Sequence, residues 1–138
     1  MKNLVLTDRT FRILFLSETY GGVVHDKRMA DGNPYPLPAG SWLLQDLGFL
    51  AFSLDGVETL TPFKKPRSGT LTVAQKAFNQ QLASLRVRIE HVISSVKRCR
   101  IVKDVCRLRI AATKDAVMEI ACSLHNFRLV LFPWLPLL

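Results

Sequence analysis

Phe78, Leu82, Leu85, Ile89, Val92, Val96 and Cys99 recur at alternating steps of four and three residues. Each residue of an α-helix advances about 100°, so these seven side chains form a single stripe. The stripe predicts one long amphipathic helix over 71–102, with Thr70 or Thr72 placed to cap its start. Such a helix needs an apolar surface to lie on, and the residues before it supply candidates. LVL (4–6) and RILFLSETY (12–20) read as a β-hairpin that ends at Gly21-Gly22. A short helix is expected around VVHDKRMADG, with Gly32 near its end, and the proline-rich NPYPLPAG as a loop. SWLLQDLGF predicts a mostly buried strand with Asp46 at its exit. VETLTPF reads as one more strand, and KKPRSG as a basic turn. TKDAVMEIACSLHNFRLVL forms a second helix. Strands first and helices later give an α/β class. The heptad also fits a coiled coil, but about three heptads is the minimum for that reading, so packing on a sheet is preferred.

The chain has 138 residues, enough for one domain with a core and too few for two ordinary ones. Apolar residues make up 49% and charged residues 22%, close to globular averages, so a disordered chain is not the default reading. Cys99, Cys106 and Cys122 form no CxxC pair and are expected as free thiols in a reducing compartment. MKNLVLTD turns polar too early for a signal peptide, and LVLFPWLPLL is too short and proline-broken to span a bilayer. A cytoplasmic, nucleoid-associated chain without a membrane partner is expected. The net charge of +8 is uneven: residues 1–63 carry 5 basic and 7 acidic side chains, residues 64–128 carry 14 and 4. That asymmetry points to a polyanion, most often nucleic acid, although a merely solvated basic face would look the same.

Glu90 is the one acid between Thr59 and Lys103, a stretch with ten Lys and Arg. With Ile89 taken as zero on the helix, Arg86 falls at about 60°, Asn79 and Lys97 at about 80° and Glu90 at about 100°. These four side chains make a polar stripe along the rim of the buried face. Asp46 leaves a strand into a glycine-containing turn, a frequent position for catalytic groups. Carboxylates brought together there can bind Mg²⁺ or Mn²⁺, and two such ions about 4 Å apart can activate and stabilise oxygens of a phosphodiester. Taken singly, a strand-end Asp such as Asp46 is more often a turn former, and a helix Glu such as Glu90 near two basic residues is more often an ion-pair partner.

Taken together, the motifs resemble those of DDE transposases of bacterial insertion sequences, in the branch related to Harbinger-type DDE endonucleases. Asp46-Leu47-Gly48-Phe49 matches the D-x-G-[YF] context of that family's second acid. Arg86, Glu90 and Lys97 match R-(3)-E-(6)-K around the third acid, whereas Ala83 stands where the family pattern has Tyr. GGVVHD (21–26), TPFKKPRSGTLTVAQKAFNQQLASLR and HNFR (125–128) add family-like segments over nearly the whole chain. The resemblance implies an RNase H-like sheet of order 3-2-1-4-5, with 4–8 and 12–17 as its second and third strands and 41–46 as its fourth. Residues 1–138 would then be a single partial catalytic domain, 1–63 strands and a short helix, 64–128 basic and mostly helical.

The same resemblance implies DNA cleavage and strand transfer with two divalent cations. Asp46 and Glu90 are the candidate catalytic and metal-binding acids, with Asp26 as a further metal-side candidate or a helix cap. Arg86, Lys97, Arg88, Arg98 and Arg100 are candidates for phosphate, and His25 and Asn79 for support. The family's first acid lies on the first, central strand, which is expected upstream of Met1, and Asp8 reads as a turn residue instead. The chain alone is therefore expected to be inactive. It would act as a homo-oligomer on element ends and target DNA, or be complemented by an N-terminal transposase chain. The alternatives are a non-enzymatic DNA-binding remnant that inhibits an intact transposase, and a helical interaction module.

Overall fold

In the computed structural model, residues 2–35, 37–49, 51–104 and 107–137 are described; the expectations resting on Met1 and Cys106 lie outside them. The elements in chain order are β1 (Val5–Thr7), β2 (Ile13–Leu16), α1 (Asp26–Asp31), β3 (Trp42–Leu44), β4 (Glu58–Leu60), α2 (Val73–Val96), α3 (Arg100–Lys103) and α4 (Ala111–Leu131). A single 3₁₀ turn, Leu47–Phe49, follows β3. They divide into two units, one of Met1–Val24 with Val87–Leu138 and one of His25–Arg86. The chain is thus a mixed α/β protein with small sheets.

The first unit is built around the hairpin. β1 and β2 pair antiparallel, Leu6 opposite Phe15, with a bulge between Leu6 and Thr7. Asp8 makes the turn as expected: its carboxylate accepts from the backbone N–H of Thr10 (2.8 Å) and Arg12 (3.1 Å) and from the Thr10 hydroxyl (2.6 Å). The turn ends on Phe11, which takes the left-handed conformation (φ 68°) that usually selects glycine. Its ring is nonetheless fully buried, under the Arg88 guanidinium 4.5 Å from its centroid. Tertiary packing over-determines this strained residue. Around it gather Ile13, Val92, Val96, Met118, Ala121 and Cys122. Burial pushes the Cys122 thiol up to about 11, so it is a packed thiol rather than a reactive one.

The outer edge of β2 is closed by side chains of α4. Asn126 accepts from the Ile13 N–H (2.8 Å) and donates to the Ile13 carbonyl (2.9 Å), replacing a neighbouring strand. His125, fully buried, reaches the Phe11 carbonyl through Nε2 and Ser95 Oγ through Nδ1, both at 2.9 Å. A carbonyl only accepts, so Nε2 carries the proton and Nδ1 accepts from the Ser95 hydroxyl. The apolar C-terminal segment folds back on this hairpin, with the Leu137 N–H donating to the Arg9 carbonyl at 2.8 Å. Among the described residues no helix is long and apolar enough to cross a membrane.

In the second unit, β3 and β4 pair parallel, Trp42 opposite Glu58 and Leu44 opposite Leu60. The expected buried strand is shorter and more open than its sequence suggests: none of Trp42–Leu44 is buried, and Trp42 is 66% exposed. The reason is that this sheet has two strands among the described residues, too few to enclose a run apolar on both faces. Met29, Ala30, Phe52 and Leu82 are its buried apolar residues. Tyr35 caps them, stacking edge-on against Phe52 (5.7 Å) while its hydroxyl donates to the Ala30 carbonyl.

α2 starts where the sequence places it. Thr72 Oγ1 accepts from the Gln75 N–H (3.2 Å) and Gln75 Oε1 accepts from the Thr72 N–H (3.1 Å), a reciprocal cap. Of its stripe Leu82, Val92 and Val96 are buried, and Phe78, Leu85 and Ile89 half-buried. The helix ends at Val96, short of the expected 102, and Cys99 instead precedes the four-residue α3. Lys97 and Arg98 fall in the turn between the two helices, where the carbonyl end of α2 favours positive charge.

Candidate active site

The D-x-G-F motif forms a tight structure after β3. Asp46 sits two residues past the strand, at the start of the 3₁₀ turn, and its Oδ1 accepts from the Leu47 N–H at 2.8 Å. The same oxygen accepts from Arg86 Nη1 at 3.1 Å, forming an ion pair with both side chains about half exposed. The structure therefore joins two of the expected site residues from distant parts of the second unit's sequence. Coulomb attraction at half exposure is worth little stability, so the pair matters for where it holds the carboxylate.

Asp26 reaches this turn from the other side. It is the first residue of α1, and its Oδ2 lies 2.8 Å from where a Cβ on Gly48 would stand. A side chain at Gly48 would turn the Asp26 carboxylate aside from the motif. The readings of Asp26 as metal support or helix cap both have to accommodate this contact with the turn that carries Asp46. Neighbouring His25 is exposed and makes no side-chain cap to α1.

Gln45, which sequence reasoning passed over, fixes the turn from beneath. Its backbone N–H extends the β3–β4 pairing by donating to the Leu60 carbonyl (3.0 Å). Its Nε2 donates to the carbonyls of Phe49 (3.4 Å) and Phe52 (3.2 Å) and to Thr61 Oγ1 (3.2 Å). A polar residue inside an apolar run, immediately before the acid, was the available signal. Asn79 plays a comparable part on α2. Its amide exchanges two hydrogen bonds with the Phe63 backbone (2.8 and 3.0 Å), tying the basic loop to the helix. Beside it Phe63 and Phe78 meet edge-on at 5.3 Å.

Glu90 is exposed and lies one helical turn beyond Arg86, on the part of α2 that belongs to the first unit. Lys97 is exposed just past the end of α2, off the helix that its seven-residue spacing from Glu90 presumed. Arg88 donates to the Leu135 carbonyl besides covering Phe11, so it has a structural post. Arg100 pairs with Asp104 at 3.6 Å, well exposed, and Arg98 is exposed.

The residues present do not fit a complete metal centre. Among the described residues no three His, Cys, Asp or Glu side chains come together as a metal group, and Asp46 is already neutralised by a guanidinium. The chain's own acids can hold and orient an Arg, and with it a phosphate, but a carboxylate cage for divalent ions needs more ligands than these.

The profile of a family described as DDE superfamily endonuclease matches residues 1–126. The probable transposase for insertion sequence element IS702 of Microchaete diplosiphon is 28% identical over 106 residues, 77% of this chain and 38% of that protein. The chain therefore spans less than two-fifths of the relative's length. No solved structure matches it. With the profile covering nine-tenths of the sequence, from the hairpin through the DLGF turn and Glu90 to the His125-Asn126 pair, the chain belongs to the DDE superfamily endonucleases.

Proposed function

We propose that this chain is the C-terminal part of the catalytic domain of a DNA transposase, with Asp46 and Glu90 as two of its three acids. The observation that carries the reading is the Asp46-Leu47-Gly48-Phe49 turn, whose carboxylate is held by Arg86 one helical turn before Glu90, in a chain of this family. Arg86 would orient Asp46 and then share its donors with a scissile phosphate, since a guanidinium presents five N–H groups. Lys97, Arg98 and Arg100 would position the DNA backbone.

The domain is incomplete in this reading. An antiparallel pair, β1–β2, and a parallel pair, β3–β4, are what a five-stranded sheet of order 3-2-1-4-5 leaves when its first strand is withheld. The edges of the hairpin are unequal in a way that supports this. Asn126 closes β2, while β1 has no strand on its other side among the described residues. A partner segment would add that strand with the third acid, and so complete a site for the two divalent cations of the family resemblance. The lack of a metal group in the described residues equally favours a second reading, a DNA-binding remnant that poisons intact transposase.

The deciding measurement is nicking of labelled element-end duplex in Mg²⁺ or Mn²⁺. The chain alone is expected to cut nothing. Co-expressed with the N-terminal part of a full-length relative, it should cut, and lose this on Asp46→Asn or Glu90→Gln. Cleavage by the chain alone would remove the missing-strand argument. Restored cleavage that ignores both substitutions would remove the assignment of the acids, and no cleavage in any mixture would leave the remnant reading.

A further inference from the structure

The C-terminal half of α2 and the turn after it bear a second polar face, at 91, 94, 95 and 98, apart from Asp46, Arg86 and Glu90. His91, Ser94, Ser95 and Arg98 line an open cleft of about 290 Å³, and Trp134 from the returning C-terminal segment forms its wall. These residues all belong to the first unit. The indole is braced: the Phe11 ring lies 5.9 Å away, tilted, and the His125 ring 5.4 Å away, edge-on. Ser95 is buried and its hydroxyl is committed to His125. The groups left for a ligand are the His91 imidazole, the Ser94 hydroxyl and the Arg98 guanidinium, all exposed. None of the described lining residues is acidic.

A rigid aromatic wall beside a guanidinium, a hydroxyl and an imidazole recognises a flat ring that carries an anion. Nucleotides are that chemistry: the base stacks on the aromatic and its phosphate accepts from the donors. Size and shape narrow the form. A cleft of about 290 Å³ holds one base with its phosphate, but a base inside a duplex has both faces stacked and cannot offer one to an indole. We propose that this cleft seats a single unpaired nucleotide of a DNA strand, its base against Trp134 and its phosphate on Arg98, His91 and Ser94. The site rests on the reading that the chain binds DNA and goes beyond it, because it distinguishes a frayed or single-stranded end from duplex.

The chain has two tryptophans, and Trp42, 66% exposed, can be replaced by Phe at little cost, leaving Trp134 as the sole indole. Trp42→Phe protein is titrated with a short oligothymidylate and with a blunt duplex of equal charge, following indole fluorescence and, separately, anisotropy of the labelled DNA. The single strand should quench Trp134 and the duplex should leave it unchanged. The exposed pair His91→Ala/Arg98→Ala should weaken single-strand binding about tenfold more than duplex binding. Trp134→Leu should do the same, with far-UV circular dichroism checking that it folds. Binding of both DNAs with an unchanged indole signal and equal losses in the variants would overturn the nucleotide site while leaving DNA binding intact. Binding of neither DNA would overturn the underlying reading as well.

Discussion

Gly48 and His125 show how single positions carry the consequences of packing. The carboxylate of Asp26 occupies the space that a Cβ at 48 would fill. Gly48 is exposed and the obstacle is the end of a flexible side chain, so Gly48→Ala is expected to cost only about 0.5–1 kcal/mol as the Asp26 carboxylate turns aside. Asp26→Ala should remove most of that penalty, and a double-mutant cycle by urea unfolding measures the coupling. At His125 burial holds the imidazole below the usual histidine range; the positive charge of Arg128 pushes the same way, and the hydrogen bond to Phe11 opposes both. Below about pH 6.5 the unfolded chain binds a proton here that the folded chain still refuses. Stability from this residue is therefore complete above that pH and declines on acidification until the folded imidazole itself titrates. Unfolding midpoints between pH 7.5 and about 5 should show this fall, and His125→Gln should flatten it. A slope unchanged by the substitution would mean that other groups set the acid response.

Among the elements, the edge of the hairpin depends on a side chain that takes the place of a strand's backbone. β2 has its outer edge closed by one asparagine instead of a ladder. Asn126→Ala leaves the N–H and C=O of Ile13 without those partners and should cost about 1–3 kcal/mol. Asn126→Asp should recover the N–H acceptor but not the donor, and so fall between the two in urea midpoint. If Asn126→Ala were neutral, water would be serving that edge as well as the amide does. α4 is apolar on two sides: Met118, Ala121, Cys122 and His125 are buried, while Ile120, Leu124, Phe127 and Leu131 stay exposed. Its sequence pattern alone could not have said which stripe faces the core. The buried stripe packs with Phe11, Ile13, Val92 and Val96, and that contact, not its hydropathy, selects it.

For the whole molecule the charge distribution is the dominant property. Fourteen basic side chains against four acidic ones in residues 64–128 predict DNA affinity that falls steeply with salt. Each phosphate contact removed should lower the steepness of log K against log[salt] by about 1. Lys97→Ala and Arg100→Ala are expected to do so, and Asp46→Asn to leave the slope unchanged, in anisotropy titrations across a salt series. A slope indifferent to the basic substitutions would place the DNA on another surface.

The hairpin, α1, the proline loop, the capped start of α2 and α4 were all legible, because each rests on local signals: alternation, turn residues, caps and the 3.6-residue period. The Asp46 and Glu90 candidates were legible as motif positions too, through D-x-G-F and the Arg86-to-Glu90-to-Lys97 spacing. Folding alone set what those positions touch. Periodicity could not show that α2 stops at Val96, because the apolar stripe runs on to Cys99 across the break. Nor could it show that Gln45 braces the turn, that Phe11 adopts a left-handed backbone under Arg88, or that Asp26 stands against Gly48. The elements and the family follow from the order of residues alone, since both are written in spacings along the chain. The hold of Arg86 on Asp46 does not, because a contact between residues forty positions apart depends on how the intervening elements pack.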